Sequence, residues 1–87
     1  MPRYFFHTEN GDRVRDHQGE DLADLDAARD EALTILGEIL RYRGASFWTT
    51  RSFSVIVTDA EGHVVDSITA QASDTAPEGW TLREAGG

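Results

Sequence analysis

Three histidines are the chain's only imidazole donors for a metal, and no cysteine is present to supply a thiolate. His7, His17 and His63 have neither i, i+4 spacing nor an H-E-x-x-H sequence, so they would have to meet by tertiary convergence. The acidic run Asp16, Glu20, Asp21, Asp24 and Asp26 lacks the spacing of a calcium loop and reads as a solvated approach to a helix. The serines at 46, 52, 54, 67 and 73 lie outside any G-x-S-x-G elbow, and no glycine-rich phosphate loop occurs. Asp66 with His63 or His7 is the one pairing suited to acid and base roles, although strand decoration is the simpler account. From these residues we expect no cofactor, no metal and no enzymatic activity.

Two further constellations bear on function. Pro2 would offer a secondary amine if Met1 were removed, the base used by small tautomerases. Those enzymes run from a strand directly into a helix, whereas a hairpin comes first here. The stripe Arg3, Phe5, His7, Arg13 and Arg15 mixes an aromatic with cations, the pattern on which single-stranded bases stack. Against that stands a net charge of −8, from sixteen acids and eight arginines with no lysine, which repels phosphate backbones.

A chain of 87 residues has room for one core. No apolar run approaches the roughly 18 residues of a membrane span, and nothing in the composition requires an oxidising compartment, so we expect a cytoplasmic protein. Residues 1–70 carry periodic patterns and read as one domain. From Gln71 the sequence turns to Ala, Ser, Asp, Thr, Pro and Gly without periodicity, an irregular tail over 71–87 with fraying expected at 85–87. Trp80 and Leu82 stand out in it, and we expect the tail either to fold back or to dock Trp80 on another chain.

The element that must organise the rest is the stretch from Asp24 to Gly44. At about 100° per residue, Leu25, Ala28, Ala32, Leu33, Ile35, Leu36, Ile39, Leu40 and Tyr42 share one side of a helix. Asp24 suits the N-cap, Arg41 and Arg43 suit the C-terminal end, and Gly44 suits a left-handed close. Gly37 on the polar side costs roughly 1 kcal/mol relative to alanine. Before the helix, Arg3 to Thr8 alternates as a strand with Tyr4 and Phe6 on one side. A three-residue turn with Gly11 left-handed is expected to set Phe6 opposite Val14. Asp16 to Leu22 reads as a connection, as does Ala45 to Arg51. Ser52 to Asp59 and His63 to Ala70 read as strands joined at Ala60-Glu61-Gly62.

The predicted fold is therefore α+β: ββαββ, a four-stranded antiparallel sheet in the order 2-1-3-4 with one helix on one face. A helix about 10 Å across cannot cover four strands about 4.8 Å apart. With Tyr4, Phe6, Val14, Phe53, Val55 and Val57 under the helix, the reverse face would carry Phe5, His7, Arg13, Arg15, Ile56, Val64 and Ile68. Such a surface predicts a partner, either another copy of the chain or a different protein. We expect contacts at Phe5, His7, Arg13, Arg15, Phe47, Trp48, Ile56 and Trp80, in a self-associating interaction or regulatory module. A regulator that binds nucleic acid through the open face is the alternative.

The opening Met1-Pro2-Arg3-Tyr4-Phe5-Phe6, followed by Gly11, Asp16, Gly19, Leu22 and the helix start Asp24-Leu25-x-Ala27-Ala28-x-x-x-Ala32, resembles a family of small uncharacterised, mostly alphaproteobacterial proteins. The hairpin Val57-x-Asp59-x-x-Gly62 is similar to that family as well. Its members commonly have aspartate in place of His7 and often proline in place of Ala23. The resemblance covers about residues 1 to 70, implies the ββαββ order and transfers no catalytic residue. More distantly, the order of elements is similar to antitoxins of the HicB type, which implies a regulator.

Overall fold

The computed structural model describes residues 1–83; the fraying expected at 85–87 lies outside them. β1 (Arg3–Glu9) buries Tyr4 and Phe6 on one side, as its alternation dictates. The chain then turns through Asn10-Gly11-Asp12, with Gly11 left-handed at φ 101°, into the two-residue β2 (Arg13–Val14). The turn has the expected length but is centred one residue later. Val14 therefore sits opposite Thr8 rather than Phe6, and it is exposed.

The expected connection from Asp16 to Leu22 contains a second short strand, β3 (Glu20–Asp21), which pairs with Arg3 and Tyr4 of β1. Its backbone is extended by the Leu22 N–H, which donates to the Pro2 carbonyl at 3.0 Å. Leu22 itself packs against the core.

α1 (Leu25–Tyr42) begins as its sequence predicts, with the Asp24 carboxylate accepting the Ala27 N–H at 2.9 Å. Its end differs from expectation. Gly44 does not take the left-handed conformation; a second helix, α2 (Gly44–Thr50), starts there and occupies the stretch expected to be a connection. Arg51, at φ 64°, supplies the left-handed residue instead, and its N–H donates to the Phe47 carbonyl.

β4 (Ser52–Thr58) and β5 (Val64–Gln71) complete an antiparallel sheet of order β2-β1-β4-β5, with β3 also on β1. This is the predicted order of the four main strands, now with five strands and two helices among the described residues. The β4–β5 turn repeats the logic of the first, with Gly62 left-handed and the Asp59 N–H donating to the His63 carbonyl.

The core lies between α1 and one sheet face. Tyr4, Phe6, Phe53, Val55 and Val57 meet Ala28, Ala32 and Leu36, and the two alanines let the helix axis approach the strands closely. Leu25, Ile35, Ile39, Leu40 and Phe47 seal its margins. Leu33 and Tyr42, on the apolar half of the helical wheel, are left exposed at 58% and 74%. No helix among the described residues is long and apolar enough to cross a membrane.

The reverse face departs from expectation in one respect that matters for function. Register places Ile68 opposite Val55, so Ile68 lies on the helix side and packs against the core. A shift near Val57 and Thr58 leaves Ser67 and Thr69 on the reverse face. The Ser54 and Thr69 hydroxyls bond to each other there at 2.7 Å. That half of the face is polar.

Candidate functional site

The residues with chemical potential gather at the other half of the reverse face, where β1 and β4 meet the Asp16 loop. Cross-strand pairing sets His7 opposite Ile56 and Phe5 opposite Thr58. The rings of Phe5 and His7 stack nearly parallel, 6.4 Å between centroids and 5° between planes.

His7 is held at both nitrogens. Nδ1 accepts the backbone N–H of Asp16 at 3.0 Å, and Nε2 lies 2.9 Å from the Thr58 hydroxyl. An Nδ1 that accepts carries no proton, so the neutral ring bears its hydrogen on Nε2 and donates it to Thr58. Both nitrogens are consumed in holding the Asp16 loop against β4. Thr58 is buried although it belongs to the face away from the helix.

Asp16 performs the complementary task. β2 and β3 pair with the two ends of β1 and leave a gap opposite Phe6. The Asp16 carboxylate fills that gap. One oxygen accepts the Phe6 N–H at 3.1 Å, and the carboxylate also takes the N–H groups of Gln18 and Gly19 at 3.0 and 3.2 Å. Burial pushes this carboxyl up. The donors from Phe6, Gly19 and Gln18 outweigh burial and hold it below the ordinary carboxylate value. Gly19 closes the loop at φ 69°, where a Cβ would stand 2.7 Å from the Tyr4 carbonyl oxygen and 2.9 Å from Phe5 Cε1. The loop thus laps over the edge of Phe5, covering part of a face that the sequence predicts to be open.

The eight expected contact residues are not all brought together. His7, Arg13, Arg15 and Ile56 line one groove of about 490 Å³ with Thr58, and Phe5 borders the adjoining hollow with Arg15 and His17. Arg13 pairs with Glu9 at 3.4 Å. Phe47 and Trp48 lie on α2, on the helix side of the sheet. There Phe47 packs against the core while Trp48 is 62% exposed, edge-on to Phe47 at 6.0 Å. Trp80 is 58% exposed in the tail, where its backbone N–H donates to the Pro77 carbonyl.

The constellations weighed for chemistry are dispersed. Asp66 faces the helix and bonds Arg29, away from both His7 and His63. Asp21 pairs with Arg3 at 2.9 Å, Asp24 caps α1, and Asp26 lies 3.6 Å from Arg29, so the acidic run forms no joint site. One grouping escaped the sequence reading: Asp59, Glu61 and His63 each bring a potential ligand atom within 4.8 Å of the others. Asp59 Oδ1 there already accepts the Glu61 and His63 N–H groups, each at 2.9 Å, as the cap of a hairpin turn. The D-x-x-x-H spacing was the available signal, and turn formation accounts for it.

Comparison with curated proteins and with solved structures finds no match to the chain. Its Asp16-x-x-Gly19 loop, helix start and second hairpin all fall within residues 3–71, the span that matches a family described as a domain of unknown function (DUF6894), and the chain belongs to that family.

Proposed function

We propose that the protein is a non-enzymatic, self-associating interaction module that works through surface rather than through a reaction centre. The observation that supports this most directly is the incomplete cover of its sheet. α1 shields one face, whereas Ile56 and Val64 on the other have no second layer over them among the described residues, and Val64 is 64% exposed. On the helix side Leu33, Tyr42 and Trp48 are exposed as well. The use of His7, Asp16 and Thr58 in internal bonds agrees with a non-catalytic role. A composition free of cysteine suits a cytoplasmic setting.

Sedimentation velocity over a wide concentration range tests the proposal. A dimer that persists on dilution is expected, and a monomer at every concentration refutes it. The groove that places Arg13 and Arg15 beside His7 favours one second reading, a nucleic-acid-binding or antitoxin-like regulator. That reading requires a salt-dependent mobility shift with RNA or DNA that Arg15→Ala abolishes.

A further inference from the structure

The two edges of the sheet are built in opposite ways. On the β1 side, β2 and β3 are two residues each, and the gap between them is filled by the Asp16 carboxylate. Short strands and an inserted charge are how proteins blunt an edge against further pairing. At the other side β5 is the longest strand of the sheet, with eight residues, and no described strand pairs with its outer edge.

The phase of β5 fixes which backbone groups point outward. The Ala72 N–H donates inward to the Arg51 carbonyl at 2.9 Å, continuing the β4–β5 register of Ser52 with Gln71. Antiparallel alternation then directs Ala70 and Ile68 inward and leaves Gln71, Thr69 and Ser67 facing out. Of these the Ser67 N–H is taken by Asp66 Oδ1 at 3.0 Å. The strip Ser67-Ile68-Thr69-Ala70-Gln71 contains no charge and no proline, in a chain of net charge −8.

Resting on the self-association proposed above, we infer that the partner surface is the same strand of a second copy, joined antiparallel about a two-fold axis at Thr69. Thr69 then faces Thr69 of the second copy, and Gln71 of each copy donates to the Ser67 carbonyl of the other. The two sheets become one. The arrangement is self-complementary in charge: each Asp66 stands opposite Ala72 of the other copy, roughly 20 Å along the strand from its own counterpart, beyond the screening length. Asp66 is further neutralised by Arg29. A two-fold axis perpendicular to the sheet keeps both helices on one side. It brings together the flanking grooves of about 300 Å³ where exposed Leu33 lies beside Ile68 and Val57. Strand pairing alone buries less than a stable dimer needs, and these apolar flanks add to the area covered.

Thr69→Pro tests this directly. Proline removes an outward N–H and no backbone β4–β5 bond, only the exposed hydroxyl contact between Ser54 and Thr69, so the fold survives while the ladder to a second copy is lost. The expected result is a wild-type dimer and a folded Thr69→Pro chain whose dimer dissociates at least about tenfold more readily. A wild-type dimer that Thr69→Pro leaves intact overturns the edge pairing but not self-association; a wild-type monomer overturns both. If Thr69→Pro fails to fold, Thr69→Cys decides in a chain with no other cysteine. A disulfide-linked dimer that forms faster than with Glu61→Cys supports the pairing, and equal rates refute it.

Discussion

Replacing Asp16 by alanine is the most informative perturbation of the fold. Its carboxylate is the acceptor for the Phe6 N–H at a point where the β1 edge away from β4 has no strand partner, and for the two turn donors Gln18 and Gly19. The Phe6 bond is partly buried and charge-assisted, which sets its loss at about 1.5 to 3 kcal/mol. The turn bonds lie nearer solvent and contribute about 0.5 to 1 kcal/mol each. Asp16→Ala should therefore cost roughly 3 kcal/mol, a large part of the stability of a domain this size. Asp16→Asn keeps an acceptor but no charge and should cost about half as much. The sign of the pH dependence follows from the lowered carboxyl. Because the folded value lies below the ordinary 3.8, the stabilisation is complete above that value and is lost as pH falls through the folded one. Wild type and Asp16→Asn should thus converge in acid. Urea unfolding followed by far-UV circular dichroism measures this, since the exposed Trp48 and Trp80 report poorly on the core. An Asp16→Ala chain within about 0.5 kcal/mol of wild type refutes the assignment of the carboxylate as the filler of the β1 edge.

Three further substitutions probe neighbouring links. Gly19→Ala places a methyl 2.7 Å from the Tyr4 carbonyl oxygen at a left-handed φ, and should destabilise by about 2 kcal/mol or more in thermal unfolding; a neutral result contradicts the loop's approach to β1. His7→Phe retains a ring to stack on Phe5 but strands the Asp16 N–H and the Thr58 hydroxyl, for an expected loss of about 1 to 3 kcal/mol in urea unfolding. Burial, then Glu20 and Glu38, raise the Glu31 carboxyl, so the fold gains stability as pH falls through that raised value. Glu31→Gln should stabilise by a few tenths of a kcal/mol at neutral pH, and a loss of stability there contradicts the acidic surroundings.

How far the sequence alone reached depends on the kind of pattern involved. α1 and its Asp24 cap were legible because eighteen residues sum a weak periodic signal and a cap is local chemistry. β1 and β4 were legible from their alternation, and the sheet order followed from topology. β3 was not legible, because two polar residues carry no period; only tertiary pairing with Arg3 and Tyr4 makes them a strand. α2 was hidden by Gly44, which reads as a stop but sits at the start of a helix whose left-handed close falls on Arg51. The face assignment of Ile68 failed for a simpler reason: an irregularity near Thr58 reverses the parity of everything after it. At the site, the types were legible and the roles were not. His7 and Asp16 read as surface histidine and solvated acid, yet they bond through the backbone across nine residues, a relation without sequence periodicity.

Those two residues also bear on what the acidity of the chain is for. Net charge alone invites a search for a cation or a basic partner. Asp16 binds three backbone N–H groups, Asp24 caps a helix, Asp59 closes a turn, Asp21 holds Arg3, and Asp66 holds Arg29 while covering the Ser67 N–H. Each of these carboxylates satisfies donors within the chain, at a loop, cap or edge where regular pairing stops. The acids are placed where a small sheet with one long helix would otherwise leave backbone unpaired. The same logic accounts for the bare outer groups of Thr69 and Gln71. Among the described residues no carboxylate lies at the outer N–H groups of Thr69 and Gln71, and the edge pairing proposed above would give them acceptors.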